Sequence, residues 1–211
     1  MVIRDWSSDV CSSDLVRGEG LFLHFKRDVL VAWAAKNASR DAEFFEAHRA
    51  WKTARAMPNP DAGYPGLRFA LIHSFSHALM RQLALESGYS AASIRERIYC
   101  DDGMGGTQMA GLLLYTAAPD SEGTLGGLVS QGEPGRLGRL IRQALESMQL
   151  CSSDPLCSEH HPGHDGTASL HGAACHACQF APETSCERGN KYLDRSLLVP
   201  TLGGVVSPFF I

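Results

Sequence analysis

Apolar residues recur at helical spacing in several stretches of the chain. The longest runs from Leu67 to Ser87, where Ile72, Phe75, Leu79 and Leu83 follow at steps of three, four and four, and Gly88 supplies a stop. Residues 26–37 and 39–56 predict two further helices, the second on the spacing of Phe44, Phe45, His48 and Trp51. A helix over 135–150 would turn Leu137, Leu140, Ala144 and Met148 inward and set Arg136, Arg139 and Arg142 on its other side. Residues 20–25, 93–99 and 109–117 read as strands. Between them lie a proline- and glycine-rich loop around residues 58–66, a turn at 101–106 and a glycine-rich bend at 120–127. Beyond residue 150 neither period persists, and the chain reads as irregular to about residue 190 before a tail ending in Pro-Phe-Phe-Ile.

With 211 residues, 44% hydrophobic and 20% charged, the chain can build a real core, and global disorder is excluded. The net charge of −4 excludes a simple basic glove for nucleic acid but leaves room for a local basic face. The longest apolar runs are strand-sized, so no transmembrane helix is expected, and no signal-peptide pattern shows; the chain is expected to be cytoplasmic, with no membrane partner. Residues 1–16 repeat a Ser-Ser-Asp unit without helical or strand period. They read as a non-native, adapter-like segment in which Cys11 is functionally empty, and the natural chain is expected to continue upstream, making this a C-terminal fragment.

The cysteines change the picture most. Five of the seven fall between positions 151 and 186, with the spacing Cys151-x5-Cys157-x17-Cys175-x2-Cys178-x7-Cys186, and five of the nine histidines (His160, His161, His164, His171 and His176) lie among them. An odd total in a reducing compartment argues against a disulfide framework. A C-x-x-C pair lets two thiolates share one tetrahedral ion, and thiolates favour zinc over hard cations. The expected ligands are Cys157, Cys175, Cys178 and Cys186, with Cys151 as the alternative fourth. Gly172, Ala173 and Ala174 are expected to let backbone amides approach the sulfurs, and the histidines are read as surface residues. The fold class is therefore α/β (α+β): mixed helices and a small sheet over 20–150, a C-terminal Cys-rich zinc-binding lobe over 151–195, and a tail over 196–211.

Several blocks carry a resemblance. The stretch from His73 to Glu86 (His-Ser-Phe-Ser-His-Ala-Leu-Met-Arg-Gln-Leu-Ala-Leu-Glu), Gly111-Leu-Leu-Leu-Tyr-Thr116, Gly123-Thr-Leu-Gly-Gly127, and Ala-Ala-Cys-His-Ala-Cys followed by Ser-Cys-Glu-Arg-Gly-Asn-Lys-Tyr-Leu-Asp-Arg195 resemble the DUF1998 domain, also called the MrfA zinc-binding domain. That domain ends MrfA-like DNA-repair helicases and occurs in the DrmB-like component of the DISARM anti-phage system. The run Cys-Ser-Ser-Asp-Pro-Leu-Cys at 151–157 is closer to the latter. The resemblance implies a four-cysteine structural zinc site that includes Cys175, Cys178 and Cys186, a helicase partner protein or domain, and action on DNA. A P-loop pattern is missing from the sequence, so these residues are expected to form a non-enzymatic module. Two alternatives stand beside this one: an accessory domain of an MrfA-like repair helicase whose motor lies upstream, and a zinc-dependent hydrolase in which histidines and Asp154 or Asp165 build an open site.

Three further features could carry chemistry. His73 and His77, four apart on one helical face, could hold a metal, but Ser74 stands where metalloproteases carry glutamate; the plainer expectation is a polar stripe packed on a strand, with hydrogen-bonded imidazoles. The bend at Glu122-Gly-Thr-Leu-Gly-Gly127 could cradle a phosphate or simply turn tightly. The row Arg136, Arg139 and Arg142 is a candidate nucleic-acid contact or a solvated face, and Trp33, Phe44, Phe45 and Trp51 are read as core.

Overall fold

The computed structural model describes residues 18–100, 109–116, 127–163, 169–204 and 206–210. The sequence-derived expectations for Cys11, Asp165, His164, the 101–106 turn and most of the glycine-rich bend lie outside the described residues. The apolar run Ala110–Thr116 forms strand β3, paired on both sides and therefore buried along most of its length. Strand β1 (Gly20–His24) and strand β2 (Ile94–Cys100) flank it antiparallel, in the order β1-β3-β2, with Leu21 opposite Leu114 and Glu96 opposite Leu114 on the other side. Alternation along β2 turns Ile94, Glu96 and Ile98 to the core face and Arg95 and Arg97 to solvent.

Helices α1 (Arg27–Lys36), α2 (Ala38–Ala54), α3 (Leu67–Ser87), α4 (Gly127–Gln131) and α5 (Pro134–Met148) complete the described elements, apart from a single 3₁₀ turn at Arg195–Leu197. The layer is thus mixed helix and small antiparallel sheet, an α+β arrangement, with the Cys-rich lobe following α5. Helix α3 is the axis of the molecule. Its first amide, Leu67 N, donates to the Asp41 carboxylate of α2 at 2.9 Å, and Gly88 closes it in the left-handed conformation that glycine tolerates without penalty.

The sequence predicts one apolar stripe on α3, but residues 69–80 are buried without interruption. Contacts with α1, α2, α4, α5, β2 and β3 cover it from every side. An all-round buried helix can carry polar groups only where partners meet them, and Ser74, Ser76, His73 and His77 are all buried here. Helix α5, by contrast, is amphipathic as expected: Leu140, Ala144 and Met148 are buried and Arg136, Arg139 and Arg142 exposed.

The tail returns to the core. Phe209 N and Phe210 N donate to Leu197 O and Leu198 O at 2.8 and 3.0 Å, Trp33 donates to Ser207 O at 2.7 Å, and Phe210 stacks on Phe75. Trp33 and Phe44 are core residues; Phe45 and Trp51 are only half-buried, each with an arginine over its ring. No helix among the described residues is long and apolar enough to cross a membrane.

Candidate metal centre

Where α5 ends, its carbonyls need partners. The guanidinium of Arg195, fully buried, donates to Met148 O at 2.7 Å and Gln149 O at 3.1 Å and pairs with the Asp154 carboxylate. Asp154 in turn accepts from Cys151 N at 2.9 Å. The hydrolase alternative wanted Asp154 as a metal ligand; both of its oxygens are instead engaged in fixing the turn that carries Cys151.

Four thiols converge on that turn. Cys151 Sγ lies 3.5 Å from Cys175 Sγ, Cys157 Sγ lies 3.7 Å from Cys178 Sγ, and the two sulfurs of the C-x-x-C pair are 3.7 Å apart. Tetrahedral zinc with Zn–S bonds of about 2.3 Å puts its sulfurs about 3.8 Å apart, so the cage has the dimensions of a four-thiolate site. Cys157 and Cys178 are buried, Cys151 and Cys175 half-buried. The amides of Ser153 and Cys175 donate to the sulfurs of Cys151 and Cys178 at 3.4 and 3.3 Å, as they would to thiolates. Burial resists ionisation of Cys175, but the Ala177 amide and the surrounding thiols outweigh it and bring the group down to about 7. Its neighbour Cys157 is pushed upward by Cys178 and by burial, against the opposing pull of Arg195.

This arrangement corrects the expected ligand set. Cys157, Cys175 and Cys178 come together, but Cys151 and not Cys186 is the fourth sulfur, and Cys151 and Cys157 enter together rather than as competitors. Counting outward from the C-x-x-C pair favours Cys186, eight positions on, yet the chain after Cys178 turns away toward β2, where Ser185 O accepts from Glu96 N. Gly172 also serves another purpose than the one expected of it. An added Cβ would lie 2.5 Å from both Arg40 Nη2 and Asp194 Oδ2, so the glycine makes room for a buried ion pair, not for amides on sulfur. That pair (Nη2–Oδ2 2.6 Å) bolts the lobe to α2, and Asp194 N donates to Ser74 Oγ of α3 at 2.8 Å. His160, His161, His171 and His176 stand outside the thiol group.

Cys186 joins His73, His77 and Glu96 in a second group, all four buried. His73 Nε2 lies 3.1 Å from Cys186 Sγ and 3.0 Å from Glu96 Oε1, and His77 Nε2 lies 3.4 Å from Glu96 Oε1. Burial opposes every charge here, but mutual attraction prevails: Cys186 comes down to about 6, His77 rises to about 10, His73 also rises, and Glu96 stays below the usual carboxylate range. The expected polar stripe against a strand is thus present, with a carboxylate and a thiol facing it that periodicity alone did not locate. The one available signal was Glu96 itself, a charge at an inward position of an alternating strand.

The other candidates fall as follows. Arg136, Arg139 and Arg142 share the exposed face of α5, Arg136 lying 3.7 Å from Glu133. At the start of α4, Leu128 N and Val129 N donate to the Glu19 carboxylate at 3.0 and 3.3 Å, so an internal anion already takes the amides a phosphate would need.

Comparison with known proteins bears on the thiol cage directly. Residues 75–179, about half of the chain and including the four cysteines of the cage, match the model of the MrfA Zn-binding domain. The chain carries an MrfA Zn-binding domain. Its cage therefore belongs to a zinc-binding family and has the donor set and spacing of a zinc site. The chain is also similar to the DISARM protein DrmB of Bacillus paralicheniformis, with 42% identity over 198 residues, covering 92% of this chain and 34% of that protein. The chain thus spans about a third of the length of this curated relative.

Proposed function

We propose that this zinc-binding domain is a non-catalytic module of a DISARM-type anti-phage component, in which zinc held by Cys151, Cys157, Cys175 and Cys178 fixes a lobe that works beside a helicase on DNA. The observation that carries the DISARM reading is the 42% identity to DrmB along 92% of the chain. The structural role follows from the cage: four thiolates complete the coordination of zinc and leave no position for water or substrate. When bound, the metal would supply folding free energy to a segment that has few large apolar side chains and, among its described residues, almost no regular structure. Asp154, Arg195 and the amides of Ser153 and Cys175 would hold the sulfurs in place. DNA contact would fall to the exposed arginine row of α5, through phosphates and without reading sequence.

A chimera tests the reading. In a host carrying the Bacillus paralicheniformis system, this chain should replace the matching third of DrmB with phage resistance retained, and the same chimera bearing Cys178→Ser should lose it. A folded, zinc-loaded chimera that gives no resistance would instead favour an accessory domain of a repair helicase, the reading that the family's MrfA name supports.

A further inference from the structure

Glu96 is a carboxylate on the core face of a strand, 3% exposed, between Ile94 and Ile98. A lone buried carboxylate would be neutralised by protonation or by a cation. Facing it, one turn apart on α3, are His73 and His77, 0% and 2% exposed, and from the loop after the thiol cage comes Cys186, 6% exposed. The four donor atoms lie within 4.8 Å of one another.

Their orientation is informative. His77 Nδ1 is 2.7 Å from Gln179 O, and a carbonyl can only accept, so that nitrogen carries the hydrogen. In the neutral imidazole that a metal would bind, the lone pair of Nε2 then points at the group, where Nε2 and Glu96 Oε2 have no hydrogen-bond partner. Backbone amides meanwhile serve the anions: Asn190 N donates to Cys186 Sγ at 3.1 Å and Glu187 N to Glu96 Oε1 at 3.3 Å. A backbone carbonyl that sets a histidine's tautomer, and amides on a sulfur, are what surround metal ligands.

We propose that His73, His77, Glu96 and Cys186 form a second, closed metal site that takes zinc or a similar divalent transition ion. The donors are two imidazoles, a carboxylate and a thiolate, a set that suits borderline cations and not magnesium or calcium. One carboxylate and one thiolate balance a divalent charge, so the occupied site is neutral, as full burial demands. The observed 3.0–3.4 Å separations lie near the edge length of about 3.3–3.6 Å that tetrahedral Zn–N and Zn–S bonds require. A cleft of about 370 Å³ with His77, Arg81 and Gln179 in its wall offers a way in. The quartet shares no residue with the thiol cage, and two of its members, His73 and Cys186, lie outside the residues matched by the family model. Gln179, next to Cys178, links the two. The ion would sew α3, β2 and the 179–190 loop together.

The test is metal analysis of the purified full chain, together with zinc X-ray absorption of the unmodified protein. Two zinc ions per chain are expected, with an averaged shell of five sulfurs to three nitrogens or oxygens, and Cys186→Ala and Glu96→Gln should each bring the content to one. A single zinc per chain with an all-sulfur shell overturns the proposal and leaves the group as a protonated ion cluster. Because the spectrum needs no variant, the proposal stays open to refutation even if both substitutions prevent folding. Loss of the thiol cage alone would read out differently, as a nitrogen- and oxygen-rich shell with one sulfur.

Discussion

The four thiols and the mixed quartet are built by opposite means. The thiols come from residues 151–178, whose described part carries no helix or strand, and two of them remain half-exposed. The quartet joins a helix, a strand and a loop; His73 and Cys186 stand 113 positions apart, and every member is buried. In the lobe, turns and amides surround the sulfurs, and a zinc ion held there would supply much of the stability. In the body, α3 is buried along residues 69–80 by apolar neighbours, and polar groups persist there only because they meet one another. Local geometry organises the first region and global packing the second.

The comparison breaks most sharply at Cys178. Cys178→Ser should cost the cage its zinc and abolish amide protection over about residues 151–190, while α3 stays protected, because zinc-site binding is worth on the order of 10 kcal/mol of folding. Hydrogen exchange decides it. Protection lost uniformly across the chain would mean that the Arg40–Asp194 bolt and the Asp194–Ser74 bond fuse lobe and body into one cooperative unit. That bolt is the next point of attack. Asp194→Ala strands the Arg40 guanidinium in the interior and should destabilise the chain by about 3–5 kcal/mol in urea unfolding. A smaller loss would show that water or Glu43, 2.6 Å from Arg40, takes over the charge.

Helix α5 gives milder effects. Leu140→Ala, at a fully buried position, should lose about 2–5 kcal/mol of stability through the cavity it leaves. Replacing Arg136, Arg139 and Arg142 together by Gln should leave the unfolding midpoint where it was, since all three are exposed. The same triple variant should bind DNA more weakly for every sequence and flatten the salt dependence, by about 0.9 in log K per log salt for each phosphate that an arginine of the row had neutralised. An unchanged slope would make the row a solvated face and leave DNA binding to a partner.

Much of this protein was determined by its sequence alone. Helix periodicity in α2, α3 and α5, strand-length apolar runs in β1 and β3, alternation in β2, and the C-x-x-C pair at Cys175 and Cys178 are local signals that depend on neighbours within a few residues, and each is present where the pattern puts it. Tertiary structure decided the rest. Whether Cys151 or Cys186 completes the cage depends on which way the chain turns after Cys178, and the turn that brings in Cys151 is set by Arg195, 41 positions from its partner Asp154. That α3 is buried all round, that Gly172 clears space for Arg40 and Asp194, and that Glu96 meets two histidines and a cysteine all follow from packing between distant segments. Such meetings leave no period or spacing in the sequence, because the distance that matters is across the core and not along the chain.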